Sequence, residues 1–180
     1  MKIKNTFLTL LLILASLITS FGQTTLWAAE VIEFSSEKKL SHHIHHLNPH
    51  ANKAIQVLDE PNIMPGSGGS SHAWMPKDAN EIDYIKVKFD SAIHVIQIII
   101  AEAINPSTVY ELYLYDENGV EYFIKTFDPK PVPLKGRLLR VFIEKTPYKV
   151  KALNLVLDGK KVPGYNGIDA IGISDSEDPF

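Results

Sequence analysis

The sequence contains no cysteine among its 180 residues, which excludes disulfide bonds, thiolate metal sites and a cysteine nucleophile. An excess of basic residues is also absent. The formal charge is −3 at pH 7, so we expect no nucleic-acid partner. Glycine and proline number ten and eleven, close to average, which excludes a low-complexity or collagen-like chain. The composition therefore predicts a mildly acidic globular domain that is held together by an ordinary hydrophobic core.

Long apolar runs are missing except near the start of the chain. Residues 1–22 contain two lysines, an apolar run from Phe7 to Ile18 and small residues just before Gln23, which is the layout of a secretory signal peptide. The run is shorter than the roughly 20 residues that span a bilayer. We therefore predict cleavage before Gln23 and no transmembrane segment afterwards. The protein would then be exported to the periplasm, the outer surface or the medium; a retained membrane anchor is the alternative.

Beyond residue 81 apolar and polar residues alternate with the period of two that is typical of β-strands. Seven segments there have strand character: Ile85–Phe89, Ile93–Ile100, Val109–Tyr115, Val120–Phe127, Leu138–Ile143, Tyr148–Leu157 and Gly167–Ile173. An earlier segment, Val31–Phe34, is also predicted to be a strand. Residues 51–58 are predicted to form a short helix, and residues 62–80 a long loop. So many short strands with turn residues between them predict an all-β antiparallel sandwich or barrel. We expect a single domain over residues 23–180, with its core at about 31–175.

Several loop residues have the chemistry of a sugar-binding site. Aromatic rings stack on the apolar faces of sugars, and amides and carboxylates bind hydroxyl groups. The candidates are Trp74 and Tyr165 for stacking, and Glu102, Asn105 and Asn166 for hydrogen bonds. In the alternative interpretation Trp74 fills the core, and Asn105–Pro106 and Gly164–Gly167 are ordinary turns.

Catalytic motifs are scarce. No G-x-S-x-G nucleophile motif occurs, and His94 lies inside an apolar segment, where a structural histidine is expected. Glu102 and Asp169 could form the carboxylate pair of a glycosidase only if the fold brings them together. We therefore predict that the protein is not an enzyme.

Histidines are concentrated in one polar stretch, which contains His42, His43, His45, His46 and His50. Neutral imidazoles bind zinc, copper or nickel. A structural metal site also needs a fixed geometry, and residues 38–50 have few large apolar side chains to provide it. We predict an exposed, mobile segment and no structural metal site there.

The order of these segments resembles the discoidin-like, galactose-binding-like jelly roll over about residues 31–175. The resemblance is carried by Phe34–Glu37, Ala54–Asn62, Ala73–Trp74, Ile85–Phe89, Val95–Ile100 and Gly167–Ile173. More narrowly, Ala101–Pro106, Leu112–Asp116 and Leu157–Asp169 are similar to a domain of exported Gram-negative bacterial proteins that are sometimes fused to OmpA-type modules. The resemblance implies a jelly-roll β-sandwich that acts as a binding module, often with a structural calcium near the loop around Asp59.

Together these features predict an exported, non-catalytic module that binds carbohydrate at the cell surface or in the envelope. The alternative is a structural or protein–protein interaction module of the envelope that has no sugar site. The expected partner is accordingly a carbohydrate or an envelope protein.

Overall fold

The computed structural model describes residues 23–39, 49–63 and 71–178. Eight strands form within these ranges: β1 (Thr25–Phe34), β2 (Ile82–Ile93), β3 (Gln97–Ile104), β4 (Val109–Asp116), β5 (Glu121–Thr126), β6 (Arg137–Phe142), β7 (Val150–Asp158) and β8 (Gly167–Ser174). The only helix in the described ranges is a single 3₁₀ turn at Ala54–Val57, which is shorter than the helix predicted over residues 51–58. No helix in this part of the chain is long and apolar enough to cross a membrane.

All neighbouring strands are antiparallel, in the order β5-β4-β7-β2-β1-β8-β3-β6. Strand β1 belongs to both layers of the sandwich, because Thr25–Trp27 pair with β8 whereas Ala28–Phe34 pair with β2. A register shift directly after Ala28 marks the change of layer, as bulges commonly do. One layer is therefore β5-β4-β7-β2-β1 and the other is β8-β3-β6. This arrangement confirms the predicted all-β antiparallel jelly roll.

The five-stranded layer shows the predicted alternation. In β2, Ile85, Val87 and Phe89 are fully buried between the layers, while Lys86 and Lys88 lie partly exposed on the outer face. Burying each such apolar side chain stabilises the fold by about 1.5–3 kcal/mol. The alternation therefore determines which face of this layer contacts the core.

Strands β3 and β8 of the three-stranded layer are buried on both faces, which explains why β3 lacks alternation. Ile98 and Ile100 belong to the core between the layers, so Ile99 faces outward, and yet all three are fully buried. On the same outer face the Trp27 ring lies against Gly172. A Cβ atom at Gly172 would stand 2.7 Å from two carbons of that ring, so only glycine permits the contact.

Four connections join strand ends that lie at one end of the sandwich, because successive neighbouring strands alternate in direction. These are residues 35–81, 105–108, 127–136 and 159–166, and we refer to this end as the loop end. At the opposite end the first and last strands meet, and the Thr24 amide donates a hydrogen bond to the Asp175 carboxylate at 2.8 Å. All five predicted ligand residues lie in or beside the loop end.

Two sets of predicted features lie outside the described residues. They are the signal peptide (residues 1–22) and the histidines His42, His43, His45 and His46. The predicted cleavage before Gln23 and the predicted lack of a structural metal site at these histidines therefore stay predictions. His50 is described and is exposed. Among the described residues no group of three or more His, Cys, Asp or Glu side chains could hold a metal ion.

Candidate functional site

The connection between β7 and β8 is held from both sides by asparagine side chains. Asn80 accepts a hydrogen bond from the Gly164 amide at 2.8 Å, and Asn105 donates one to the Pro163 carbonyl at 3.1 Å. Asn166 donates to the Asn105 carbonyl at 3.0 Å. Asn80 and Asn105 have positive φ values of 65° and 45°, in the left-handed region that asparagine tolerates better than most residues. The loop that carries Tyr165 is therefore fixed at its base.

Tyr165 projects from this fixed loop with 40% of its surface exposed. The Lys38 ammonium lies 3.8 Å from the centroid of the ring, within the range of a cation–π interaction. The Lys38 backbone is tied to the neighbouring segment, because its amide donates to the Met75 carbonyl at 2.8 Å. An exposed aromatic ring, a lysine and two asparagines thus lie on one surface, which we call the Tyr165 surface.

The prediction that Trp74 stacks on a sugar is corrected by the structure. Trp74 is 0% exposed, and its indole nitrogen donates to the Ser36 carbonyl at 2.9 Å. Its backbone pairs with Ile168 of β8 through hydrogen bonds of 2.8 and 3.0 Å. No face of the ring is open to a ligand, so Trp74 is a core residue that connects the long 35–81 connection to β8.

Glu102 is likewise a structural residue and not a ligand contact. It is 1% exposed and forms an ion pair with Arg137 of β6. Its second oxygen accepts hydrogen bonds from the amides of Ser107 and Thr108 at 2.6 and 3.2 Å. Both carboxylate oxygens are engaged, so the prediction that Glu102 binds sugar hydroxyls is corrected. The buried carboxylate fixes the tight turn between β3 and β4.

Asn166 and Asn105 differ in how accessible they are. Asn166 is buried, and its amide nitrogen donates a hydrogen bond to the Asn105 carbonyl. The predicted ligand role of Asn166 is therefore also corrected. Asn105 is partly exposed on the Tyr165 surface. Of the predicted ligand residues, Asn105 and Tyr165 therefore remain accessible.

Sequence reasoning missed two members of the site, Asn80 and Lys38. Asn80 is exposed directly before β2, and Lys38 lies in the polar stretch that follows β1. Nothing in either local pattern indicates a contact with Tyr165. The Asn-Glu step before a predicted strand could have marked Asn80 as a turn residue, but not as a member of a binding site.

A second buried carboxylate, Asp169 of β8, lies beneath the start of the long loop. One oxygen accepts hydrogen bonds from the amides of Asn62 and Ile63, both at 3.0 Å. The other oxygen, Oδ1, is buried and has no donor among the described residues. Burial raises the pKa of the Asp169 carboxyl, and the two amides together with the charge of His72 offset this only in part. Glu102 and Asp169 thus serve separate structural contacts.

The residues around Asp169 fit a calcium ion in one respect. Calcium prefers oxygen ligands, and Asp169 Oδ1 is a buried carboxylate oxygen that lacks a partner. Asp59, the residue implicated by the resemblance, begins the same loop, is exposed and has a φ of 67°. Its amide donates to the Ala28 carbonyl at 2.9 Å.

A separate cleft of about 340 Å³ lies on β1, β2 and β7, away from the loop end. Three of its four charged side chains, those of Glu30, Lys88 and Lys151, already have partners. Lys88 pairs with Glu30 at 2.8 Å, and Lys151 donates to the Asp90 carbonyl at 2.7 Å. The cleft therefore offers a ligand less unsatisfied chemistry than the Tyr165 surface does.

No protein-family model and no curated protein matches the chain, whereas solved structures match over most of its length. The family 32 carbohydrate-binding module of Clostridium perfringens NanJ in complex with galactose is 17% identical with a TM-score of 0.51, covering 85% of this chain and 93% of that chain. Chitosan-binding module 1 of a chitosanase/glucanase from Paenibacillus sp. IK-5 is 14% identical with a TM-score of 0.52, covering 84% and 93%. The fold is the discoidin-like, galactose-binding-like jelly roll.

The same fold also occurs in a protein of a different kind. A chain from the structure of reduced XRCC1 bound to the DNA polymerase β catalytic domain is 10% identical with a TM-score of 0.57, covering 87% of this chain and 100% of that chain. At these identities the likeness establishes architecture, and function has to be argued from this chain's own residues. The narrower similarity to exported proteins fused to OmpA-type modules remains a prediction.

Proposed function

We propose that the protein is a non-catalytic carbohydrate-binding module whose ligand contacts the Tyr165 surface. The observation that carries the proposal is the 40%-exposed Tyr165 ring, fixed at its base and flanked by Asn80, Asn105 and Lys38. The ring offers a stacking surface for the apolar face of a sugar, and the amides and the ammonium offer hydrogen bonds to oxygen atoms. The structural neighbours include a module in complex with galactose and a chitosan-binding module, which supports carbohydrate as the ligand class.

We also propose that the protein is exported, as the composition of residues 1–22 suggests. Expression of the full chain in a Gram-negative host should give an extracytoplasmic protein whose mass corresponds to a first residue of Gln23. A protein of full mass in the cytoplasmic membrane would favour the retained anchor instead.

Replacing Tyr165 with alanine should reduce glycan affinity by about 2- to 13-fold, since a stacking contact of one aromatic ring contributes roughly 0.5–1.5 kcal/mol. A glycan array would identify the best oligosaccharide, and calorimetry would then compare the variants. Phe123→Ala is the matched control, because Phe123 is 58% exposed on β5, away from the loop end. Its affinity should equal that of the wild type.

Two outcomes would argue against the proposal. Equal losses in both variants would mean that the Tyr165 surface has no special role. No glycan signal at all, together with an envelope protein recovered by cross-linking, would favour the interaction module.

We propose that calcium stabilises the loop around Asp59 through Asp169 Oδ1. An ion that binds only the folded protein stabilises it by about 2.7 kcal/mol at 100 times its dissociation constant, so calcium should raise the melting temperature of the wild type. Asp169→Asn should abolish that rise. In EDTA this variant should lie within about 1–3 kcal/mol of the wild type, because Asn retains an acceptor for the Asn62 and Ile63 amides and removes a buried charge, whereas its buried amide nitrogen has no acceptor.

Asp59→Asn shows whether Asp59 takes part, since it should reduce the calcium effect without changing stability in EDTA. An unchanged melting temperature of the wild type in millimolar calcium would contradict the calcium proposal and leave the glycan proposal intact.

A further inference from the structure

Lys38 differs from four other lysines of the loop end in what its ammonium contacts. Lys53, Lys77, Lys160 and Lys161 each lie within 4 Å of a carboxylate, those of Glu37, Asp78, Glu81 and Asp128 respectively. In the part of the chain that the structure describes, Lys38 has no carboxylate partner, and its ammonium faces the Tyr165 ring. An unneutralised cation therefore lies directly beside the proposed stacking surface.

The ring also holds Lys38 in place. Fixing a free lysine side chain costs about 2 kcal/mol of rotamer entropy. Where the ammonium already contacts an aromatic face, part of that entropy is lost on folding and not on ligand binding. The Lys38 amide is bonded to Met75, so the backbone is fixed as well. A ligand anion that reaches Lys38 would meet a positioned charge, which favours binding.

The hydrogen-bonding groups around the ring also match an acidic sugar. The Asn80 side chain uses its oxygen on Gly164, so its amide nitrogen is the group with no partner among the described residues. Together with the Lys38 ammonium, it gives two donors beside Tyr165. Among the described residues, no carboxylate lies within 4 Å of the Lys38 ammonium to neutralise it.

We infer that the Tyr165 surface selects acidic carbohydrates and that Lys38 is the residue that binds their anionic group. This inference rests on the proposed carbohydrate function and adds the ligand class. Carboxylate and sulfate groups share the required chemistry, a negative charge with several acceptor oxygens. The sugar ring stacks on the exposed part of Tyr165 while its anionic substituent pairs with Lys38.

The test uses a matched pair of ligands: a uronic acid oligosaccharide and the same oligosaccharide with its carboxyl groups reduced to hydroxymethyl groups. Calorimetry should give the acidic form about 3- to 10-fold higher affinity, the range for one partly exposed charged contact. Lys38→Gln should remove that preference, so that the acidic and the reduced forms bind with equal affinity. Because the contact is electrostatic, the preference should shrink as salt is raised from 0.05 to 0.5 M.

Lys77→Gln is the matched control, since Lys77 lies at the same end of the sandwich but is paired with Asp78; it should keep the preference. A sulfated galactan oligosaccharide in a third arm shows which anion Lys38 prefers. If it binds more strongly than the uronate and this advantage is lost in Lys38→Gln, the preferred anion is sulfate.

The outcomes separate this inference from the function on which it rests. Equal affinity for the acidic and reduced forms, with binding still lost in Tyr165→Ala, overturns the acidic preference and keeps the carbohydrate site. A preference that survives Lys38→Gln and disappears in Lys77→Gln also overturns it. Failure of every oligosaccharide to bind overturns the proposed function itself.

Discussion

Replacing Trp74 with alanine should lower the free energy of unfolding by about 3–5 kcal/mol, the range for removing a fully buried aromatic side chain. The cost has two parts. The core loses the contacts of the largest side chain among its fully buried residues. The Ser36 carbonyl loses the indole N–H that satisfies it, and an unsatisfied buried acceptor costs about 1–3 kcal/mol.

Trp74→Phe separates the two parts. Phenylalanine keeps most of the packing but cannot donate to Ser36, so the loss should lie between those of the wild type and the alanine variant. Urea unfolding gives both values, and an unchanged slope would show that the comparison concerns stability alone. Tyr165→Ala is the control and should fall within about 0.5 kcal/mol of the wild type, because the ring is at the surface.

If Trp74→Ala kept the stability of the wild type and Tyr165→Ala lost stability, the assignment of Trp74 to the core would be contradicted. Should Trp74→Ala unfold like the wild type while glycan binding disappears, Trp74 would be the stacking residue that its place in the loop first suggests.

Glu102→Ala should destabilise the protein by about 3–5 kcal/mol, the cost of breaking a buried ion pair by removing one partner. Arg137 is 29% exposed and can regain some hydration, which places the expected value in the lower part of that range. The remaining cost comes from the amides of Ser107 and Thr108, which lose their acceptor. The turn also contains Asn105 and Ser107 at positive φ, a strained conformation that needs such support.

The matched control is Glu30→Ala, which breaks the exposed pair with Lys88 and should cost about 0–1 kcal/mol. Glu102→Gln should fall between Glu102→Ala and the wild type, since its amide oxygen still accepts from the turn while its nitrogen faces Arg137. A loss below about 1 kcal/mol in Glu102→Ala would contradict the structural role. Glycoside hydrolysis by the wild type that disappears in Glu102→Gln would instead reopen the enzyme interpretation.

The sequence predicts strands best where one face meets solvent. In β2 the alternation of Ile85, Val87 and Phe89 with lysines indicates both the strand and its buried face, and the structure confirms both. The turn that joins β4 and β5 is likewise formed by local contacts, because Gly119 takes a positive φ of 80° and Asp116 accepts hydrogen bonds from the amides of Asn118 and Val120. In such cases local chemistry is sufficient.

Strand boundaries are less accurate where tertiary pairing decides them. The first strand begins at Thr25 and not at Val31, because Thr25–Trp27 pair with β8, a partner from the far end of the chain. The predicted strand over Ile93–Ile100 is divided, since β2 continues to Ile93 and β3 begins at Gln97. Between them His94 is half-buried with its ring nitrogen 2.8 Å from the Thr146 carbonyl, which confirms a structural histidine.

The candidate site depends on contacts that a single sequence does not reveal. Residue types suitable for sugar binding are present at Trp74, Glu102 and Asn166, but all three are buried with specific structural partners. Residue type indicates which chemistry is available, whereas exposure decides whether a ligand can use it. The Lys38–Tyr165 contact joins the two ends of the domain's sequence, so only the fold brings it about.

The central claim is that a glycan binds at the Tyr165 surface, and an NMR titration of ¹⁵N-labelled protein with the best oligosaccharide tests it most directly. The side-chain amides of Asn80 and Asn105 and the backbone amides of Gly164 and Tyr165 should shift together and saturate with one affinity. Resonances of β5 around Phe123 should stay in place. Shifts confined to β5 and the outer face of the five-stranded layer, with the loop end unchanged, would contradict the claim.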